Sequence, residues 1–398
     1  MDVDFSAEDE AFRSAVSAWL SEHLTGRFAG LVGKGGSQND EMYTERIAWE
    51  RELHAGGWTG LGWPATYGGR PATITQRILF EFEYARAKAP FRVGFQGTNL
   101  LGPTLIAHGT EAQKQRFLLP ILRSDEVWCQ GFSEPGAGSD LASLTTRAER
   151  VKGDGEAGEG WVINGQKVWT SHAHQADWMY LLARTDPAAP KHRGITMFLL
   201  PMDQPGVEVR TIRNMAGGDE FNEVFLTDAR TTADLVVGEV NGGWPIAMET
   251  LEYERGTAML GYQTQFESEW ASVAELARSV GALDRETIRH RLVDSRVMLQ
   301  IMHFNNLRTL TSLMQRGKLG SETSLAKIVW PGWHQQLGQL EMDLMGEAGQ
   351  LVDPGYELNP FQRSFLLSRA ESIYGGTHQI HLNIVAERLL GLPRDARA

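Results

Sequence analysis

A mainly α-helical protein with a central β domain is the fold class this sequence predicts. Apolar residues recur at helical spacing through the first third of the chain and again from Trp244 onward. Between about Trp128 and Asp228 the pattern changes to alternation and short apolar runs punctuated by Gly and Pro. Three regions are expected: an N-terminal helical domain over 1–124, a middle β domain over 125–234 and a C-terminal helical bundle over 235–398.

Phe5, Phe12, Val16, Trp19 and Leu20 form one helical stripe, and Ser6 before Glu8-Asp9-Glu10 supplies a cap and a dipole-matched first turn. The polar, Gly-rich stretch from Gly26 to Asn39 reads as a mobile loop. Helices follow over Glu41–Ala55, Ile74–Lys88 and Gly94–His108, and Pro120 is expected to end a fourth. In the β region, Gly194–Pro201, Val207–Arg210 and Asn222–Leu226 are the clearest strands. Ala247–Ala277, Arg285–Arg316, Ser321–Leu344 and Gln379–Leu390 are the helices of the last part, with Pro354–Pro360 as an interruption.

A content of 42% hydrophobic and 22% charged residues belongs to an ordinary globular protein, large enough for two or three sub-domains. The single cysteine, Cys129, excludes an intrachain disulfide and a Cys-based metal cage. A net charge of −12 argues against nucleic-acid and acidic-membrane binding. No apolar run reaches membrane-spanning length, and the acidic start Met1-Asp2-Val3-Asp4 is unlike a targeting peptide, so the cytoplasm is the expected compartment.

Gly153-Asp154-Gly155-Glu156-Ala157-Gly158 matches G-x-G-x-x-G, but it is acidic and precedes a strand where a dinucleotide fingerprint needs a helix, so it reads as a hairpin loop. His378 with His381, and His172 with His174, lack a third ligand nearby in sequence and read as polar residues, with no metal site. Ser133 and Ser139 lack the G-x-S-x-G elbow of a serine hydrolase. Two places can carry chemistry. Ser133 and Ser171 each lie beside an aromatic, Phe132 and Trp169, and together could offer donors and apolar walls to a planar cofactor. Tyr374-Gly375-Gly376-Thr377 ahead of a helix could present N–H groups and a hydroxyl to a phosphate. The residues alone leave core packing and turn capping open as the alternatives.

Phe132-Ser133-Glu134-Pro135-Gly136-Ala137-Gly138-Ser139-Asp140, Asn164-Gly165-Gln166-Lys167-Val168-Trp169-Thr170-Ser171 and Ile373-Tyr374-Gly375-Gly376-Thr377 resemble the signature segments of the acyl-CoA dehydrogenase family. Gly62-Trp63-Pro64, Tyr67-Gly68-Gly69 and Ala386-Glu387-Arg388 agree in order, so the resemblance spans essentially the whole chain. It implies a barrel-like middle domain and FAD held between that domain, the C-terminal bundle and a neighbouring subunit. Gln130, Phe132, Ser133, Trp169 and Ser171 would line the flavin. Thr377, Gln379, Gly346 and, from another subunit, Arg289 would reach the rest of FAD. Ser139 and Arg255 would touch the acyl-CoA. Electron-transfer flavoprotein or a similar acceptor, and a homotetramer or a heterotetramer with a homologous subunit, are the implied partners.

One departure matters. The family's usual catalytic glutamate follows the Tyr of the Tyr-x-Gly-Thr segment, and here that residue is Gly375. Some branches carry the glutamate on another helix, and Leu251-Glu252-Tyr253-Glu254-Arg255 places Glu254 at that position. Glu254 is therefore the expected base for the α-proton, with hydride passing to flavin N5 and the Gly375 N–H polarising the thioester carbonyl. Loss of a side chain at 375 suits a bulky or branched acyl group and resembles bacterial members acting on steroid side chains. A supporting subunit without catalysis, and an oxidase or carrier-protein variant of the chemistry, are the competing readings.

Overall fold

Helix α1 (Ala7–His23) starts at its expected cap: Ser6 Oγ accepts the Asp9 N–H at 3.1 Å, and the Asp9 carboxylate returns to Ser6. The computed structural model describes residues 5–35, 41–152, 159–254, 258–316, 320–321 and 323–394, and the side chains of 254, 258–261 and 314 fall outside that description. Helices α2 (Tyr43–Ala55), α3 (Ile74–Arg86), α4 (Gly102–His108) and α5 (Glu111–Arg123) complete the first helical layer. Phe12, Val16 and Leu20 pack there with Leu53, Leu79 and Phe80.

Three expectations for this region need correction. Within the expected loop from Gly26 to Asn39, Gly26–Leu31 is a 3-10 helix because Phe28 and Leu31 are buried in the N-terminal core, and 36–39 lie outside the described residues. The expected helix over Gly94–His108 opens as a π-helix, Gln96–Leu101, before α4. Pro120 lies inside α5 and does not end it. Burial of Ile121 and Leu122 sustains one more turn against the missing N–H.

Among the described residues eight strands follow: β1 (Trp128–Gly131), β2 (Arg147–Val151), β3 (Gly160–Ser171), β4 (Trp178–Arg184), β5 (Ile195–Pro201), β6 (Val207–Ile212), β7 (Phe221–Thr232) and β8 (Val236–Val237). Their order is β6-β7-β3-β2-β4-β5-β8, with β1 parallel to β4. Strand β4 is buried on both faces. Met179 and Leu181 enter one core with Cys129, Ile163 and Phe198, while Tyr180 and Leu182 enter a second with Trp128, Met197 and Leu199. The second core also takes Leu118 and Ile121 of α5, which fixes the sheet against the helical layer. Strands β2 and β3 pair antiparallel with Val151 opposite Gly160; their connection, 153–158, lies outside the described residues.

Beyond the sheet come α6 (Gly243–Glu254), α7 (Ala258–Ser279), α8 (Glu286–Arg316), α9 (Thr323–Met345), α10 (Pro360–Leu367) and α11 (His378–Ile384), the last continued by a π-helix over Val385–Leu389. The helix expected over Ala247–Ala277 begins earlier, at Gly243, because Ile246 is buried in the core shared with the sheet. Phe266, Val273, Leu299, Trp330, Trp333 and Leu337 form the core of α7–α9. The bundle meets the β region where the Tyr356 hydroxyl donates to Met215 O at 2.7 Å and Arg363 Nη1 donates to Ala216 O at 3.1 Å.

Candidate functional site

The turn after β1 and the end of β3 are drawn together by a buried ion pair. Lys167, fully buried, donates Nζ to Glu134 Oε1 at 2.8 Å and to Phe132 O at 3.2 Å. The Glu134 carboxylate also accepts the Thr145 N–H (2.7 Å), the Thr145 hydroxyl (2.8 Å) and the Thr146 N–H (3.0 Å). Burial alone would raise the Glu134 pKa, but the Lys167 charge and these donors hold the carboxyl down at about 2. Burial lowers that of Lys167 against the pull of Glu134. Glycine at 165 permits the approach, since a β-carbon there would lie 2.4 Å from Thr146 Oγ1. The Val168 N–H then donates to Ser133 O at 3.0 Å and completes the junction.

That junction displays an aromatic ring. Lys167 pairs with Val224 and Thr170 with Asn222, so Val168 and Trp169 oppose a single residue of β7. This is a β-bulge. Trp169 takes φ 59° on it and is 60% exposed, with its edge against Phe221 at 5.9 Å. A large indole in a left-handed conformation, exposed between the half-buried Ser133 and Ser171, combines an apolar face with hydrogen-bonding hydroxyls. These residues fit a planar, polar-edged ring such as a flavin. Phe132 is buried edge-on to Tyr180 at 5.7 Å, and the Tyr180 hydroxyl lies 2.7 Å from Gln96 Oε1 and 3.3 Å from Gln130 Oε1. Gln130, Phe132, Ser133, Trp169 and Ser171 are thus joined in one structural unit.

A second unit lies in the C-terminal bundle. Thr377 caps α11, its Oγ1 accepting the Ile380 N–H at 3.3 Å, which leaves the hydroxyl proton to donate elsewhere. Gln379 is exposed in the first turn of the same helix. Gly375 and Gly376 precede it at φ 61° and 92°. His381 Nε2 contacts Gly375 O at 3.1 Å. The remaining expected residues stand apart. Arg289, exposed at the start of α8, donates to Leu283 O (2.7 Å) and Asp284 O (3.0 Å). Gly346 is exposed at φ 57° where α9 ends. Ser139 is exposed in the turn beside Asp140, which pairs with Lys191. Arg255 lies outside the described residues, and Glu254 is the last residue of α6, its side chain outside the description. That helix is fixed by Thr250 Oγ1, 2.9 Å from Thr104 Oγ1, and by Glu249, 2.7 Å from His108 Nε2.

Sequence reasoning missed Lys167, Glu134, Tyr180 and His381 as members of the site. Glu134 and Lys167 were visible as charges inside the signature segments, but their burial was not.

A helical layer, a β-sheet and a helical bundle follow one another along the chain, and the sheet carries the paired loop segments. Models of the acyl-CoA dehydrogenase N-terminal, middle and C-terminal domains match residues 6–125, 129–229 and 241–390. Acyl-CoA dehydrogenase IpdE1 of Mycolicibacterium smegmatis is 48% identical over 396 residues, covering 98% of this chain and 99% of that protein. Among solved structures, the Tcur3481-Tcur3483 steroid ACAD superposes with a TM-score of 0.84 at 31% identity, covering 99% of this chain and 100% of that one. The ChsE4-ChsE5 complex from Mycobacterium tuberculosis gives 0.80 at 29% identity, covering 99% and 100%. The chain belongs to the acyl-CoA dehydrogenase family, and it is an acyl-CoA dehydrogenase.

Proposed function

We propose that this enzyme carries out FAD-dependent α,β-dehydrogenation of a bulky or branched acyl-CoA, of the kind a steroid side chain supplies. The observation that carries the cofactor is the β3 bulge with its exposed Trp169, flanked by the half-buried Ser133 and Ser171. FAD, when bound, supplies the acceptor for the hydride that leaves the β-carbon. Trp169 and Phe132 wall the ring, Ser133, Ser171 and Gln130 meet its polar edge, and Thr377 and Gln379 meet the pyrophosphate and adenosine end. Gly346, and Arg289 from a neighbouring subunit, complete that end.

On the substrate side, Glu254 removes the α-proton. The Gly375 N–H donates to the thioester carbonyl and so stabilises the enolate-like charge that develops there. Ser139 and Arg255 contact the acyl-CoA. Support for the bulky substrate comes from glycine at 375, which removes a side chain beside the acyl group, and from likeness to the Tcur3481-Tcur3483 steroid ACAD. An oligomer, a homotetramer or a heterotetramer with a homologous chain, is supported by an exposed apolar stripe along α8: Val293, Val297, Ile301 and Phe304. Electron-transfer flavoprotein or a similar protein takes the electrons onward. Among the described residues no helix is long and apolar enough to cross a membrane.

Purified protein should release FAD on denaturation, and its flavin should bleach anaerobically with bulky acyl-CoAs more readily than with butyryl-CoA. Protein that carries no flavin, alone or co-expressed with a homologous partner, would favour a supporting subunit instead. Flavin that no acyl-CoA reduces would count against the dehydrogenation itself.

A further inference from the structure

The Gly375-Gly376 pair poses a physical problem that its surroundings answer. Two successive glycines are the least restrained backbone a chain can offer, and both sit in the left-handed region, at φ 61° and 92°. A backbone donor aids a developing charge only when it is held close to its working geometry. Here that geometry has to come from neighbouring side chains.

The contacts come from two helices. From α11, His381, 1% exposed, brings Nε2 to 3.1 Å from Gly375 O. A carbonyl only accepts, so Nε2 carries the proton. The same ring lies against Gly376 so closely that a β-carbon there would be 2.8 Å from Nε2. From α9, Lys327 Nζ donates to Glu371 O at 2.5 Å and sits 4.5 Å from the centre of the Tyr374 ring. The Glu371 carboxylate lies 2.8 and 2.9 Å from His334 Nδ1, also on α9. The segment is thus fixed before the glycines by Lys327 and His334, at them by His381, and after them by the Thr377 cap.

We infer that His381, assisted by Lys327, is a positioning residue that holds the Gly375 backbone in register for the substrate's thioester carbonyl. The inference rests on the dehydrogenase reading above. His381 acts through the peptide that follows Gly375 and makes no bond to the reacting atoms. It takes over the ordering that a side chain and a stiffer backbone at 375 would otherwise provide.

The test uses the full-length flavoprotein in four forms: wild type, H381L, H381Q and K327M. Hydrogen exchange of the 371–381 peptide is followed by mass spectrometry beside anaerobic flavin reduction by a reactive acyl-CoA. H381L should exchange that peptide at least tenfold faster at unchanged flavin content, and lose about ten- to a hundredfold in kcat with a smaller change in KM. H381Q, which keeps an N–H donor, should recover most of both, and K327M should give a weaker version of the H381L result. An H381L enzyme with wild-type exchange and turnover overturns the proposal. Should H381L fail to fold, K327M with wild-type exchange and turnover overturns it, as does an H381Q protein that is folded and flavin-replete but as slow as K327M or slower. Wild-type bleaching is the control: its failure with every acyl-CoA defeats the dehydrogenase reading, whereas a bleaching wild type matched by H381L defeats the positioning role alone.

Discussion

Replacing Lys167 by Met should be one of the most destabilising single changes available in the β domain. The substitution keeps an unbranched side chain one atom shorter and removes the charge, leaving the buried Glu134, 5% exposed, without its cation. Removing one partner of a buried pair typically costs about 3–5 kcal/mol. The N–H donors of Thr145 and Thr146 still face Glu134 and place the cost toward the lower end. The double variant Glu134→Gln, Lys167→Met removes both charges while the new amide oxygen can still accept one of those N–H groups. It should therefore recover about 2 kcal/mol relative to the sum of the single changes. Urea unfolding of the four proteins of the cycle, followed by tryptophan fluorescence, measures this coupling. Additivity within about 0.5 kcal/mol would refute the claim that the pair joins the two segments. Flavin content should fall in Lys167→Met and partly return in the double variant.

Trp169→Ala should change stability by less than about 1 kcal/mol, because the indole is already 60% exposed, yet weaken flavin binding about tenfold or more by equilibrium dialysis. Burial would lower the pKa of His334, but the Glu269 and Glu371 carboxylates, which accept from the ring and carry the opposite charge, raise it to about 10. A raised histidine stabilises fully below its unfolded value of about 6.5 and loses that contribution as pH climbs through about 10. Glu341, raised by burial to about 7 in the same cluster, has finished titrating by then. Wild-type stability should thus fall between pH 7 and 10 in urea titrations, and His334→Gln should flatten that slope. Val297→Lys with Ile301→Lys, on the exposed stripe of α8, should shift the sedimentation coefficient toward smaller species.

Helix and strand regions were legible because their periodicities are local, and the cap at Ser6 needs only three residues to be seen. Pro120 misled because a missing N–H is local information, whereas the burial of Ile121 and Leu122 that carries the helix past it is not. Along β3, strict alternation puts Trp161, Ile163, Lys167 and Trp169 on one face. The bulge opposite Glu223 turns Trp169 outward, and nothing in a single strand's sequence announces the partner's register. The Glu134–Lys167 pair joins charges 33 residues apart, and a charged residue in a strand ordinarily reads as solvated. His381 became meaningful only with the turn that places Gly375 O against it. The proposal of Glu254 as base rests on family resemblance alone, since a helical glutamate carries no mark of a base.

With glycine at 375, the proton-abstracting carboxylate proposed for this enzyme is Glu254. Stopped-flow reduction of the bound flavin by a reactive acyl-CoA, comparing wild type with Glu254→Gln, tests it most directly. Flavin content and acyl-CoA binding should be unchanged, and flavin reduction should slow about a hundredfold to ten-thousandfold. Reduction of Glu254→Gln at the wild-type rate would contradict Glu254 as the base.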